Sequence, residues 1–192
     1  MTTLVLYRHD CHMRYLPSPH YNDRPLDTVI DLIVLHAISL PASVFDINHV
    51  ENLFLGTLDI AAHPSFTDLE HVQVSAHFVV DRQGEITQFV PCEKRAWHAG
   101  VSCWQGREQC NDYAIGIEMI GDELQAFTPM QYQETARLCR TLMQIYPNIR
   151  QNRIVGHQDI APIRKWDPGK QWDWKYFRER LAKAKSMNSE VK

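Results

Sequence analysis

The sequence predicts an α/β (α+β) fold in a single domain, a mixed central β-sheet flanked by α-helices. Three observations carry that prediction. Short apolar runs of strand length recur at residues 31–36, 114–120 and 153–155. Helical patterns interleave with them at 47–55, from 129 onward and at 174–185. Residues 75–90 read as a hairpin, and an antiparallel pair beside separated strands makes a mixed sheet. At 192 residues, 44% hydrophobic and 22% charged, the chain is long enough for one core and ordinary in composition.

Taken in order, residues 1–25 are rich in turn formers and are expected to wrap the surface as a loosely packed segment. The run 31–36 suits a strand buried on both faces. On it Leu32, Val34 and His36 share one side, and Ile33, Leu35 and Ala37 the other. Residues 47–55 form a short helix that Gly56 stops. Residues 75–80 and 85–90 flank a turn at 81–84 that ends in glycine. Residues 114–120 are an apolar strand broken by one carboxylate, Glu118. Thr128 caps the clearest helix and Pro129 suits its first turn. Tyr132, Ala136, Cys139, Leu142 and Met143 then recur at helical spacing until Pro147. A short strand at 153–155 leads into GHQDIAPIRKWDPG, residues 156–169, where Pro162 and Pro168 exclude a regular helix. Residues 174–185 form a surface helix, and the polar tail 186–192 is expected to be loose.

A net charge of -3 without charge runs offers no pull toward nucleic acid or an anionic membrane. No apolar stretch approaches the roughly 20 residues of a spanning helix. Arg8, His9 and Asp10 interrupt the mildly apolar start before a signal sequence forms, so a cytosolic protein is expected. Five cysteines without a Cys-x-x-Cys pattern read as reduced thiols, and Cys103 and Cys110 match no common zinc spacing.

His36 ends an apolar row where its strand leaves the sheet, and His157 stands in the same place after Ile154-Val155-Gly156. A buried histidine bonded to a carbonyl is the plainer reading of each; a metal ligand is the sharper one. Asp167 precedes a proline and is therefore expected to be extended, with Lys165 on the same side of the loop. They form either an exposed ion pair or a metal ligand beside a fixed cation. An unpartnered buried carboxylate costs several kcal/mol, roughly, so Glu118 is either salt-bridged or a general base. Gly116, two residues earlier on the same face, leaves room for a ligand. Two imidazoles, one carboxylate and an open position describe a catalytic zinc site, and the helical His-Glu-x-x-His layout is absent.

A set of segments then resembles one family. They are LHAISLP at 35–41, LFLGTLD at 53–59 with His63-Pro64, VSAH at 74–77 and KRAWHAG at 94–100. QGRE at 105–108, CND at 110–112, IGIE at 115–118 and GHQDIAP at 156–162 complete the set. Over about residues 18–174 the chain is similar to the cytosolic 1,6-anhydro-N-acetylmuramyl-L-alanine amidases of AmpD type, zinc amidases related to peptidoglycan recognition proteins. The resemblance implies His36, His157 and Asp167 as zinc ligands, Glu118 as proton acceptor and Lys165 as the residue that stabilises the transition state. It implies cleavage of the amide between the lactyl group of anhydro-muramic acid and L-alanine of the stem peptide. The setting it implies is recycling of cell-wall fragments in the bacterial cytosol, which in some bacteria restrains β-lactamase induction. The partner is then a small anhydro-muropeptide, with neither nucleic acid nor membrane involved.

Three positions depart from the family pattern. Ala37 stands where asparagine commonly follows the first zinc histidine, and Gln73 and Gln109 replace arginines associated with the acidic peptide. Losing such arginines removes charge-assisted contacts to carboxylates. Trp97 and His98 are candidates to line the sugar pocket, with core packing the alternative for Trp97; His77 reads as a hydrogen-bonded core residue. Two other functions are weighed against the amidase, a non-catalytic binder of peptidoglycan fragments and a zinc peptidase cutting within the stem peptide.

Overall fold

The computed structural model describes residues 13–185. Its strands in chain order are β1 (Arg14–Tyr15), β2 (Tyr21–Asp23), β3 (Leu32–Ile38), β4 (Phe78–Val80) and β5 (Ile86–Gln88). There follow β6 (Lys94–Ala96), β7 (Cys103–Trp104), β8 (Arg107–Glu108), β9 (Ala114–Ile120) and β10 (Ile154–Gly156). The α-helices are α1 (Ile47–Leu55), α2 (Pro129–Ile145), α3 (His157–Ile160) and α4 (Trp174–Lys183). Six strands form one sheet in the order β1-β5-β4-β9-β3-β10. All neighbours in it are parallel except the β4–β5 hairpin, so the sheet is mixed as expected.

The central strands β3 and β9 are apolar on both faces because both faces are covered. Ile33 and Leu35 of β3, with Ile115, Ile117 and Met119 of β9, pack against Ala136, Leu138, Cys139 and Leu142 of α2 and Phe177 and Leu181 of α4. On the opposite face Leu32, Val34 and Ala114 meet Tyr113, Val155 and Ile160. Farther along that face Val79 and Ile120 meet Val50, Leu53 and Phe54 of α1. Fully burying one such Leu, Ile or Phe contributes about 1.5–3 kcal/mol. His36, Gly116 and Glu118 alternate onto this second face.

Local signals set the helix ends. Asp46 caps α1, and Gly56 closes it in the left-handed region at φ 70°. Thr128 and Gln131 form a capping box at α2, with Pro129 in the first turn. Thr128 also donates to the Arg82 carbonyl, tying α2 to the β4–β5 turn.

Three expectations change. Residues 156–169 hold one regular turn, α3, because Pro162 lies beyond it and Asp159 accepts the Gly156 N–H at 2.7 Å. Residues 13–25 do more than wrap the surface, since β1 extends the sheet and β2 pairs with β6. Arg24, half-buried, donates to the carbonyls of Cys92, Asn111, Asp112 and Ala114, and desolvation lowers its pKa to about 10. Lastly, Trp104 to Arg107 form an unforeseen β7–β8 hairpin, whose turn residues Gln105 and Gly106 have φ of 49° and 81°. The tail 186–192 and Cys11 lie outside the described residues.

Candidate active site

Sheet register builds the site. His36 of β3 stands directly opposite Glu118 of β9, and Val155 and Gly156 of β10 pair with Val34 and Leu35. His157, the first residue of α3, therefore emerges beside His36 at the same end of the parallel strands. In open sheets ligands bind outside these carboxyl ends. The loop after α3 returns to bring in Asp167, whose carbonyl accepts the Gln158 N–H at 2.9 Å. Gly156 permits that return, because a Cβ there would stand 2.8 Å from Pro168 Cδ.

Three buried side chains converge. His36 Nδ1 lies 2.9 Å from His157 Nδ1 and 3.3 Å from Asp167 Oδ2, and His157 Nδ1 lies 3.1 Å from Asp167 Oδ2. They form the one set of three potential metal ligands found among the described residues. The chemistry of this set fits a cation. His157 donates its Nε2–H to the Ala99 carbonyl at 3.1 Å, so the neutral ring turns a Nδ1 lone pair toward a carboxylate oxygen. A single proton on His36 Nδ1 can bridge only one of the two, whereas a divalent cation satisfies all three acceptors together.

Electrostatics agree with that arrangement. Burial lowers the pKa of His36 to about 4, against the opposing effect of the Asp167 carboxylate, which accepts from its protonated ring. Burial pushes Asp167 upward, but the adjacent imidazoles of His157 and His36 outweigh this and hold it well below the usual carboxylate range. Glu118 goes the other way, raised well above its ordinary value by burial first and by Asp167 second, with the Lys165 charge opposing. Glu118 Oε1 lies 3.9 Å from His36 Nδ1, and Oε2 is buried with no hydrogen-bond partner among the described residues. Among the described residues no arginine forms a salt bridge with Glu118. Lys165 is half-buried, near enough for its charge to lower the pKa of both His36 and Glu118.

The room above Gly116 is taken by protein. A Cβ at Gly116 would stand 2.4 Å from His98 Cγ, and His98 Nδ1 reaches His36 Nε2 at 2.9 Å. His98 thus turns toward His36. Trp97 lies beside it, donating from Nε1 to Asn22 Oδ1 at 2.7 Å and stacking on His20. His77 is buried, with Nδ1 accepting the Gly116 N–H, as a core histidine should be. Gln109 lines a cavity of about 1030 Å³ with Arg95, Asn111 and Arg164, whereas Gln73 lines a different cavity of about 240 Å³ with His20 and Leu58. Ala37 is not brought to the site, for it packs on the α2 side of the sheet. Cys92, Cys103, Cys110 and Cys139 are free thiols, and none joins the cluster. Asn111, which the sequence offered only within the CND motif, and Arg164 hold the segment around Ala99, although neither was a candidate site residue.

Comparison with known proteins supports the resemblance drawn from the motifs. The sequence family described as N-acetylmuramoyl-L-alanine amidase matches residues 26–170. The 1,6-anhydro-N-acetylmuramyl-L-alanine amidase AmpD of Escherichia coli (strain K12) is 51% identical over 170 residues, 88% of this chain and 92% of that protein. A crystal structure of a selenomethionine AmpD derivative superposes with TM-score 0.86 at 47% identity, covering 93% of this chain and 99% of the other. The amidase AmiD from E. coli, solved with anhydro-N-acetylmuramic acid-L-Ala-D-gamma-Glu-L-Lys, superposes with TM-score 0.59 at 28% identity over 82% of this chain and 60% of that one. With the family matching most of its length and the AmpD relative matched over 92% of its own, the chain belongs to the N-acetylmuramoyl-L-alanine amidases, a family of hydrolases.

Proposed function

We propose that this amidase hydrolyses the bond between the lactyl group of 1,6-anhydro-N-acetylmuramic acid and L-alanine of the stem peptide, using zinc held by His36, His157 and Asp167. The observation that carries the proposal is the buried Glu118 carboxylate, with Oε1 toward His36 and Oε2 lacking a hydrogen-bond partner among the described residues, beside three convergent potential metal donors. When bound, zinc supplies Lewis acidity, polarising the scissile carbonyl and lowering the pKa of a water toward about 7.

Glu118 takes the proton of the attacking water and passes it to the departing alanine nitrogen. Its raised pKa makes it a stronger base than an exposed carboxylate and a competent acid in the second step. Lys165, on the loop that also carries Asp167, faces the oxyanion of the tetrahedral stage, where one such donor is worth about 3 kcal/mol of barrier. Trp97 offers an aromatic face to the sugar. Gln73 and Gln109 remove the two cationic side chains that the family pattern would offer to the diaminopimelate carboxylates at those positions. Truncating that side chain to alanine should therefore lower kcat/KM less here than in the E. coli relative; an equal loss in both would refute this preference.

The reaction belongs to recycling of wall fragments in the cytosol, and through its substrate it would bear on β-lactamase induction. Among the described residues no helix is long and apolar enough to cross a membrane. A non-catalytic binder is disfavoured because it has no use for a buried carboxylate with one oxygen unsatisfied beside a set of metal donors. Mass analysis of an incubation with an anhydro-muropeptide, with and without a chelator, tests the proposal. Intact peptide plus anhydro-sugar, lost under chelation, is the expected result. Shortened peptides would point to a peptidase, and unchanged substrate to a binder.

A further inference from the structure

We infer that the consecutive residues His98 and Ala99 orient both metal-facing imidazoles, with His98 acting as a positioning residue for His36. The inference rests on the reading of His36, His157 and Asp167 as the metal site. His98 Nδ1 stands 2.9 Å from His36 Nε2, the two rings nearly perpendicular at 82°. The next residue supplies the carbonyl that receives His157 Nε2–H at 3.1 Å. Two adjacent residues thus grip the far nitrogens of two imidazoles that are 121 positions apart in sequence. An imidazole that presents Nδ1 to a cation carries its proton on Nε2, and an acceptor placed there fixes both tautomer and ring plane.

The gripping segment is itself held. Asn111, almost fully buried, accepts the N–H groups of His98 and Ala99 on one oxygen, Oδ1, at 3.1 and 2.8 Å. Arg164 donates to the Ala99 and Val101 carbonyls at 2.7 and 2.8 Å, so the Ala99 oxygen serves two donors at once. The glycine at 116 clears the volume that the His98 ring fills. His98 Nε2 is buried with no partner among the described residues. A ring kept only for packing would be better as a phenylalanine, because an unsatisfied buried nitrogen is a penalty without return. The contact with His36 accounts for an imidazole at this position.

Zinc affinity of the full-length chain, measured by competition with a chromophoric chelator, tests the inference, with thermal unfolding in EDTA as the companion measurement. His98→Leu removes the acceptor, His98→Asn keeps one at the δ position, and Asn111→Ala frees the segment. The expected result is a loss of about 10–100-fold in affinity for His98→Leu and Asn111→Ala, largely recovered in His98→Asn. A packing role would shift only the unfolding temperature in EDTA and leave affinity at the wild-type value, which overturns the inference, as does equal affinity in His98→Leu and His98→Asn. Should His98→Leu not fold, Asn111→Ala against Asn111→Asp, which keeps the accepting oxygen, makes the same comparison. Wild-type protein that binds no zinc defeats the metal-site reading and this inference with it. Tight binding by wild type and by both disruptive variants defeats the inference alone.

Discussion

Glu118 pays in stability for its place beside the metal donors, and the sign of that effect can be worked out. Its folded pKa lies well above the ordinary 4.5, because burial and Asp167 oppose ionisation. The unfolded chain therefore releases this proton at lower pH than the folded one. The stabilisation is fully present below 4.5 and is lost as pH rises through the folded pKa. In EDTA, Glu118→Gln should raise thermal stability over wild type by a margin that grows with pH above 4.5, reaching about 1–3 kcal/mol. The same variant should lose about 10²–10⁴-fold in turnover while zinc stays bound, as metal analysis would show. A variant with near-normal turnover removes Glu118 from the chemistry. His36 has the opposite linkage, since its folded pKa of about 4 lies below the ordinary 6.5. Its contribution is complete above 6.5 and is lost as pH falls toward 4. Lys165→Ala should lower kcat by about 10²–10³-fold, again with zinc retained, if the ammonium faces the oxyanion.

At the scale of elements, the ends of helices and the edges of loops separate folding from function. Thr128→Ala breaks the capping box of α2 and its bond to Arg82. It should cost about 1 kcal/mol in urea denaturation and leave kcat unchanged. Gly156→Ala acts on the site instead. Its Cβ would meet Pro168 at 2.8 Å and push the Asp167 loop outward, so zinc affinity measured by competition should fall. These elements were legible because their signals are local. Gly56, Thr128 and Pro129 mark helix ends by their own backbone preferences, and the runs in β3 and β9 need apolar residues on both faces. The two-residue strands β7 and β8 carry too little pattern to announce themselves. The turn α3 was hidden because the prolines that seemed to exclude it fall after its last residue.

At the scale of the whole molecule, the sheet order brings β9, β3 and β10 side by side, and so makes one site from residues 36, 118, 157 and 167. Each of these was a candidate in the sequence because its chemistry is conspicuous in an apolar run or a stiff loop. What surrounds them was not legible. His98 meets His36 across 62 positions, and Gly116 makes room for a protein ring where space for a ligand was expected. Such contacts arise from pairing between distant segments, which no local pattern encodes. The central claim is that this assembled site binds one divalent ion and that the ion is required for amide cleavage. Titration of metal-stripped protein with zinc, following release of free stem peptide from an anhydro-muropeptide, tests it most directly. The account predicts activity rising in proportion to added zinc and levelling off at one equivalent, with His36→Ala inactive throughout. Full activity before any zinc is added, or a rise unaffected by His36→Ala, would contradict it.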